Sequence, residues 1–357
     1  MIEYRTGNML EADAEALVNT VNCVGVMGKG IALQFKQAYP ENFERYKKAC
    51  RENEVKPGKM FVFSTGSLVN PKYIINFPTK VHWRGKSKIE YIESGLASLV
   101  KEVERLDIKS IAVPPLGCGN GGLDWEDVRP RIEKAFADVP DVRVYLYEPQ
   151  GSPDPDKVKI GTKRPKWTKA RALLIDVMAE YVAEGYKMSL LEIQKLAYFL
   201  QEAGEPLKLN FVKQQYGPYA ENLNFVLQRL EGHFIRGYGD RNRHAEIYLL
   251  PGAAEEAHAH LADDKKALEI LKKVKELIRG FETPYGMELL ASVHWVVREN
   301  PKIAMDPSAV VQAIYGWNER KKKVFREDHI KKAWNHLKSV GAFEWGKAGG
   351  EKKVRRA

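Results

Sequence analysis

The chain has 357 residues and a formal net charge of +10, and both values limit what it can be. Domains usually hold about 150 residues, so the length predicts two domains. Hydrophobic residues make up 44% and charged residues 29% of the chain, which excludes disorder over most of its length. Three cysteines are too few for a disulfide framework, and the sequence has neither a signal-peptide pattern nor an apolar run of membrane-spanning length. We therefore expect a cytoplasmic protein.

Residues 1–150 alternate between strand-like and helix-like patterns. Short runs of β-branched and aromatic residues predict strands at 16–21, 60–64, 73–77, 110–114 and 142–147. Helical periodicity predicts helices at 30–38, 42–52, 88–106 and 125–136. Strands that alternate with helices indicate an α/β domain, with a mixed or mostly parallel sheet flanked by helices.

A second, mostly α-helical domain is predicted after a basic linker at 151–171, a segment rich in proline and lysine. This domain, residues 172–346, has helical patterns at 172–184, 189–203, 218–231, 264–280, 284–298, 307–319 and 326–339, and one strand pattern at 245–250. Residues 347–357 are predicted to form a disordered basic tail.

Two glycine-rich segments follow predicted strands and continue into predicted helices. They read Val21-Asn-Cys-Val-Gly-Val-Met-Gly-Lys-Gly-Ile-Ala and Pro114-Pro-Leu-Gly-Cys-Gly-Asn-Gly-Gly-Leu-Asp-Trp. Glycine lets backbone N–H groups approach an anion, and a helix N-terminus adds partial positive charge. Together the segments predict a site that clamps a diphosphate, although tight turns without a ligand are the alternative. Neither segment matches the Rossmann or P-loop pattern.

The order of these motifs resembles a macrodomain, the ADP-ribose-binding fold, over residues 1 to about 150. The resemblance rests on Gly7-Asn-Met, Leu17-Val-Asn-Thr-Val-Asn, Val26-Met-Gly-Lys-Gly-Ile-Ala-Leu-Gln-Phe and Pro114-Pro-Leu-Gly-Cys-Gly. Within that superfamily, the motifs at 27–32, 77–80 and 116–119 are similar to those of the terminal ADP-ribose protein glycohydrolase. They are closer to those of the antitoxin enzymes that remove ADP-ribose from thymidine in single-stranded DNA.

The resemblance implies which residues hold ADP-ribose. Asn22 would contact the distal ribose, and the backbone at 24–31 and 116–122 would hold the pyrophosphate. Asn8 would bind the adenine amino group, and Tyr147 would pack on the adenosine, with a core position as the alternative for this tyrosine. The complete predicted set is Asn8, Met9, Asn19, Asn22, Val24, Gly25, Met27, Gly28, Lys29, Gly30, Ile31, Leu116, Gly117, Cys118, Gly119, Asn120, Gly121, Gly122 and Tyr147.

Lys80 is the predicted catalytic residue, because it matches the lysine of the relatives' strand-end motif. From Val55 to Ile89 the chain has no Asp or Glu but seven basic residues, and neighbouring cations are expected to lower the pKa of Lys80. A neutral Lys80 would attack the anomeric carbon or the opened sugar aldehyde, whereas a cationic Lys80 would stabilise the departing thymine anion. The sequence leaves both roles open. We expect no metal and no cofactor. Asp124 suits a helix N-cap, and the sequence leaves its role open.

The same basic segment predicts a surface for single-stranded DNA, since cations follow phosphates while aromatic rings stack on bases. The predicted DNA-binding residues are Lys72, His82, Trp83, Arg84 and Lys86. A solvated loop is the alternative.

Two segments of the second domain resemble the Panacea-type antitoxin domains over residues 190–220. They are the amphipathic stretch at 189–201, where Ser189 and Glu192 form a capping-box pattern, and Phe211-Val-Lys-Gln-Gln-Tyr-Gly-Pro-Tyr-Ala. The resemblance implies that this domain binds and neutralises a cognate DNA ADP-ribosyltransferase toxin.

Together these patterns predict an antitoxin that hydrolyses the bond between ADP-ribose and thymidine. The expected partners are ADP-ribosylated single-stranded DNA, ADP-ribose and the toxin, with no membrane partner. One alternative is a non-catalytic ADP-ribose reader fused to a protein-interaction domain. Another is a glycohydrolase that acts on ADP-ribosylated protein carboxylates.

Overall fold

The computed structural model describes residues 1–149, 154–183, 185–239, 241 and 245–345. These residues divide into two compact units. The first contains the described residues up to Lys163 together with Gly239 and Arg241, and the second contains the others from Arg164 onward. The tail predicted at 347–357 lies outside the described residues.

A six-stranded mixed sheet forms the centre of the first unit, in the order β1-β6-β5-β2-β4-β3. The strands are β1 (Ile2–Arg5), β2 (Ala16–Val21), β3 (Phe61–Ser64), β4 (Tyr73–Pro78), β5 (Ser110–Val113) and β6 (Arg143–Tyr147). Only β3 runs antiparallel to its neighbour, and the other pairs are parallel. Because β2, β4 and β5 are parallel, the loops that follow them leave the same end of the sheet.

Helices cover both faces of this sheet: α1 (Gly30–Ala38), α2 (Pro40–Arg51), α3 (Ile89–Arg105) and α4 (Trp125–Phe136). Successive strand residues point to opposite faces. Val18 therefore packs in one core with Leu96 of α3, while Leu17 packs in the other with Phe35 of α1. The predicted α/β fold with a mixed, helix-flanked sheet is confirmed.

The sequence patterns missed β1, and its position explains why. This strand pairs only with β6 at the edge of the sheet, and its side chains are half-buried or exposed. An edge strand tolerates polar residues such as Glu3 and Arg5, so it lacks the apolar run that identifies a buried strand.

The segment predicted as a linker is divided between the units, and its described part is packed. Gly161 donates its N–H to the Gln37 carbonyl at 2.8 Å, and Val158 is buried. A Cβ at Gly161 would lie 2.3 Å from the Ala38 carbonyl oxygen, so the backbone approaches α1 too closely for a side chain. Residues 154–163 thus belong structurally to the first unit, and Lys169 already begins a helix of the second.

The second unit is mostly helical. Its helices are α5 (Lys169–Tyr181), α6 (Leu190–Glu202), α7 (Leu223–Leu230), α8 (Ala253–Leu261), α9 (Lys265–Ile278), α10 (Pro284–Glu299), α11 (Pro307–Tyr315), α12 (Glu319–Val324) and α13 (Glu327–Ser339). Its strands form two hairpins, β7 (Phe211–Gln214) with β8 (Gly217–Ala220), and β9 (Ile235–Arg236) with β10 (Tyr248–Leu249). The predicted capping box at the start of α6 is present, with Ser189 and Glu192 bonded to each other's backbone.

Two of the predicted helices in this unit are wrong in part. The helix predicted at 218–231 begins only at Leu223, because Gly217 has a φ of +94° and Pro218 offers no N–H, and both instead form β8. The helix predicted at 307–319 ends at Tyr315, and Asn318 caps a separate helix, α12. In the described ranges, no helix combines the length and the apolar character needed to cross a membrane.

Candidate active site

The first glycine loop, residues 22–29, connects β2 to α1 and is shaped by the side chain of Asn22. Asn22 Oδ1 accepts the N–H groups of Val24 at 3.0 Å and Val26 at 3.4 Å, and Asn22 Nδ2 donates to the Val26 carbonyl at 2.5 Å. The Tyr46 hydroxyl donates to the Asn22 carbonyl at 2.6 Å. Because Asn22 is buried and engaged by its own loop, this side chain holds the loop in shape. Its predicted contact with the distal ribose stays a prediction.

At the end of this loop, α1 presents an open N-terminus. Its N-cap residue, Lys29, makes no side-chain cap bond, and the first N–H groups of an α-helix have no partner within the helix. The adjacent Gly30 has a φ of +58°. A Cβ at this position would lie 3.0 Å from Asn120 Nδ2 of the second glycine loop, so the two loops are in close contact here. This arrangement suits a bound anion such as a diphosphate.

The second glycine loop, residues 114–124, connects β5 to α4 and is closed by its own backbone. Leu123 N–H donates to the Gly117 carbonyl at 3.1 Å, and Gly122 N–H donates to the Gly119 carbonyl at 3.1 Å. From outside the loop, Ser87 N–H donates to the Gly121 carbonyl at 3.0 Å. Gly121 packs so closely that a Cβ would lie 2.3 Å from both the Gly117 carbonyl oxygen and Ser87 Oγ. Ser87, which the sequence patterns did not single out, is therefore a main support of this loop.

Lys80 lies where the two loops meet. It follows β4, its side chain is half-buried, and its Nζ donates to the Asn120 carbonyl at 2.9 Å. The backbone beside it is joined to the first loop, because Cys23 N–H donates to the Val81 carbonyl at 2.9 Å. Burial lowers the pKa of the Lys80 amine. The expectation of a lowered pKa thus agrees with the structure, but the cause is desolvation and not the neighbouring cations.

The thiols of the two glycine loops are not in the thiolate form, and the carboxylate at the end of the second loop caps a helix. Burial raises the pKa of Cys23 and of Cys118 to about 11, so both thiols are protonated at neutral pH. Asp124 caps α4 by accepting the Glu126 N–H at 3.0 Å, as its position before Trp125 predicted. Across the described ranges, no three His, Cys, Asp or Glu side chains group in a way that could hold a metal ion.

A chain of buried side-chain amides lies beneath the first loop. One of its members, Asn19, was predicted to bind ADP-ribose. Asn19 is 0% exposed, and its Nδ2 donates to Asn76 Oδ1 at 2.9 Å and contacts Met27 Sδ at 3.8 Å. Asn76 Nδ2 in turn donates to Asn42 Oδ1 at 2.7 Å. The structure thus gives the Asn19 side chain a supporting position under Met27. Asn42 and Asn76 were missed, because only pairing of distant segments brings them together.

The residues predicted to bind adenosine have partners within the first unit. Asn8 caps a short 3₁₀ helix by accepting the Leu10 N–H at 3.1 Å, and its Nδ2 donates to Glu11 Oε1 at 3.0 Å and to the Lys157 carbonyl at 3.2 Å. Tyr147 is buried in a core cluster that also contains Met9. For Tyr147 the structure therefore favours the core alternative.

The predicted DNA-binding residues separate into two groups. His82, Trp83 and Arg84 form an exposed turn beside Lys80, in which the Arg84 guanidinium lies 4.6 Å from the centre of the Trp83 ring. Lys86 is exposed in the same turn. Lys72, by contrast, precedes β4 at the opposite end of the strand, where its Nζ pairs with Glu15 Oε1 at 2.7 Å. The structure thus places Lys72 apart from the other four predicted residues, because residues before and after one strand leave opposite ends of the sheet.

Comparison with known proteins decides the family. A family model for the Macro domain matches residues 18–132. The DNA ADP-ribosyl glycohydrolase of Thermus aquaticus is 49% identical over 348 residues, which are 97% of this chain and 96% of that protein. The chain belongs to the DNA ADP-ribosyl glycohydrolases. It is therefore a hydrolase, as the sequence predicted, and the alternative of a non-catalytic reader is set aside.

Two further relatives are similar to parts of the glycohydrolase. The macrodomain of Mycobacterium tuberculosis DarG is 62% identical, covers 42% of this chain and 99% of its own, and has a TM-score of 0.42. A DNA ADP-ribosyl transferase-DNA ADP-ribosyl glycohydrolase fusion protein of Thermosipho africanus is 34% identical over 165 residues, which are 42% of each protein.

Proposed function

We propose that the enzyme cleaves the N-glycosidic bond between ADP-ribose and thymidine in single-stranded DNA, with Lys80 at the reacting centre. The observation that carries this proposal is the position of the Lys80 amine. It is half-buried, has a lowered pKa, and is held by the Asn120 carbonyl at the contact between the two glycine loops. An amine in that position can act on a sugar whose diphosphate is bound by those loops.

ADP-ribose would bind with its diphosphate between the N-terminus of α1 and the second glycine loop. Both contribute backbone N–H groups near the Gly30–Asn120 contact, and the helix adds partial positive charge. The distal ribose would then lie beside Lys80, because Asn120 belongs to the loop that holds the diphosphate and also accepts a hydrogen bond from Lys80. The residues implied by the macrodomain resemblance, apart from the core residue Tyr147 and the buried Asn19, are proposed as the wall of this site.

Lys80 can promote cleavage in either of two protonation states. As a neutral amine it would attack the anomeric carbon while the bond to the thymine ring nitrogen breaks, and thymine would leave as an anion that takes up a proton. Water would then hydrolyse the bond between the ribose and the Lys80 nitrogen and restore the amine. As an ammonium ion it would stabilise the negative charge that develops on the thymine ring nitrogen as the glycosidic bond breaks. The burial that lowers the pKa of Lys80 favours the first role, because it increases the fraction of neutral amine.

The exposed turn at 82–86 is proposed to hold the DNA strand that carries the modified base. Trp83 is 45% exposed, and its indole offers a face on which a base can stack. Arg84 and Lys86 are exposed beside it and would contact phosphates.

Charge reversal of this turn is expected to weaken DNA binding without impairing the chemistry. Arg84→Glu combined with Lys86→Glu should raise the apparent KM for a modified oligonucleotide, with little change in kcat. Each phosphate contact that is lost should reduce the slope of log KM against log salt by about 0.7, the value for single strands. Lys72→Glu is the matched control at the opposite end of β4, and it should change neither quantity. An unchanged salt dependence in the double variant would count against this DNA surface.

The second unit is proposed to bind and neutralise the DNA ADP-ribosyltransferase toxin whose product the first unit removes. Support comes from the resemblance of residues 190–220 to antitoxin domains. The fusion protein of Thermosipho africanus, whose name joins a transferase with a glycohydrolase, also supports a functional pairing of the two activities. The chain would then act as an antitoxin in two ways, by removing the modification and by binding the toxin.

One comparison of substrates tests the proposed reaction. The full chain is incubated with an oligonucleotide ADP-ribosylated on thymidine and, in parallel, with a protein ADP-ribosylated on glutamate, and released ADP-ribose is measured. We expect release from the oligonucleotide only. Release from the protein alone would instead support a hydrolase that acts on protein carboxylates.

A further inference from the structure

The β7–β8 hairpin of the second unit has one edge that is covered by side chains. On β8, both backbone groups of Ala220 are bonded to Gln194 of α6. Gln194 Oε1 accepts the Ala220 N–H at 2.9 Å, and Gln194 Nε2 donates to the Ala220 carbonyl at 3.0 Å. The buried Lys195 Nζ donates to the Pro218 carbonyl at 2.7 Å, and proline has no N–H to satisfy. This edge of the hairpin is therefore closed.

The other edge, on β7, is open. Gln214 pairs with Gly217 across a two-residue turn, and the closing pair of such a hairpin is hydrogen-bonded. Because hydrogen-bonded and non-bonded pairs alternate in antiparallel strands, Phe211 and Lys213 point their backbone N–H and carbonyl groups away from β8. In the described part of the chain, these groups of Phe211 and Lys213 have no hydrogen-bond partner.

This open strand is firmly positioned, as a docking edge requires. The Phe211 ring packs 5.2 Å from the centre of the buried Tyr198 ring. At the turn, Trp317 Nε1 donates to the Gln214 carbonyl at 3.0 Å, and Asn318 Nδ2 donates to the Gln215 carbonyl at 3.2 Å. The strand can therefore accept a partner without first becoming ordered.

Several lysine and arginine side chains lie against this hairpin. Lys321 is 0% exposed, and it shares the Glu288 carboxylate with Arg320, at 2.8 Å and 2.6 Å. Lys195 is also buried nearby, where desolvation and the charge of Lys321 lower its pKa to about 7. Lys213 adds a further cation over the Trp317 ring, at 4.8 Å from its centre.

The outer face of the hairpin adds exposed apolar surface. Val212 is 50% exposed and Tyr216 is 46% exposed. Val212 and its cross-strand partner Tyr219 lie on the face opposite to Phe211 and Lys213. A strand added beside β7 would therefore lie next to Val212 on one face of the hairpin and next to Lys213 on the other.

We propose that the open edge of β7 binds an extended, acidic segment of the DNA ADP-ribosyltransferase toxin, which adds to the hairpin as a third strand. The Phe211 and Lys213 backbone groups would form the hydrogen bonds of the new ladder. Carboxylates of the toxin segment would face Lys213 and Arg320, and its apolar residues would cover Val212. This proposal rests on the toxin-binding role proposed above and specifies the surface that performs it.

Two substitutions of Lys213 distinguish the contribution of its backbone N–H to toxin binding from the contribution of its side chain. Lys213→Ala removes only the cation and should weaken toxin binding by about threefold to tenfold. Lys213→Pro also removes the outward N–H, and should weaken binding by about 100-fold. Because Lys213 faces Pro218 in a non-bonded pair, proline costs no β7–β8 hydrogen bond. Affinity is measured with the full chain and the purified toxin, and thermal unfolding and the glycohydrolase rate should match those of the wild type.

The results distinguish strand addition at β7 from toxin binding by the second unit in general. If the wild-type chain does not bind the toxin, the proposed toxin-binding function is wrong. If the wild type binds and Lys213→Pro binds no more weakly than Lys213→Ala, strand addition at β7 is wrong. Hydrogen exchange of the wild-type chain provides a test that needs no variant. The Lys213 amide should become protected when the toxin binds, and an unprotected amide in the complex would overturn the proposal.

Discussion

Replacement of Lys80 by alanine is expected to abolish release of ADP-ribose from DNA, with a fall in kcat of at least about 10³-fold. The amine lies between the two glycine loops and donates to the Asn120 carbonyl. Alanine has no amine at this position, so the side chain could neither attack the sugar nor stabilise the leaving base. The loops are formed by their own backbone bonds and by Asn22 and Ser87, so ADP-ribose binding should persist. Release is measured in single-turnover assays, and ADP-ribose binding by calorimetry.

Lys72→Ala is the matched control for this variant. It removes a lysine from the same basic segment, but one that pairs with Glu15 at the opposite end of β4. We expect its activity to equal that of the wild type, because exposed pairs contribute little. Full activity of Lys80→Ala on modified DNA would refute the proposed mechanism.

The pH dependence of kcat should show which protonation state of Lys80 is active. Burial lowers the pKa of this amine, so its neutral form becomes abundant at a lower pH than that of an ordinary lysine. If the neutral amine attacks the sugar, kcat rises with pH through that lowered pKa. If the ammonium ion stabilises the leaving base, kcat falls over the same range. We expect the rise, and its absence in Lys80→Arg would assign it to this residue.

Gly121→Ala is expected to reduce kcat/KM by about 10-fold to 100-fold. The added Cβ would lie 2.3 Å from the Gly117 carbonyl oxygen and from Ser87 Oγ, so the second loop must shift. The neighbouring Asn120 carbonyl would then move away from the Lys80 amine, and displacement of a catalytic group by about 1 Å can cost 10²-fold in rate. The variant is assayed on the modified oligonucleotide, and thermal unfolding reports the accompanying loss of stability.

Gly119→Ala provides the control for this substitution within the same loop. A Cβ at Gly119 has no heavy atom within 4 Å, and neither glycine requires a positive φ. The two variants thus remove the same backbone freedom and differ in the steric conflict. Equal activities of both variants would show that the packing of Gly121 against Ser87 does not position the site.

The sequence by itself determined the features that depend on local patterns. The alternation of apolar runs predicted the order of strands and helices in the first unit apart from β1, and the glycine segments marked the loops that meet at the site. The capping box at Ser189 and the N-cap at Asp124 followed from residue type and spacing, because each needs only three or four neighbouring residues. Lys80 was identified by its match to a family motif.

The tertiary structure alone decided which of these residues act together. Strand pairing separated Lys72 from Lys80 although both flank β4, and it brought Asn19, Asn42 and Asn76 into one buried chain. Tertiary packing also buries the Lys80 amine, which lowers its pKa, and it places Ser87 against Gly121. Burial, register and the closeness of two backbones arise from contacts between residues far apart in the chain. A local pattern specifies the elements, whereas only their packing determines which backbone and side-chain groups meet.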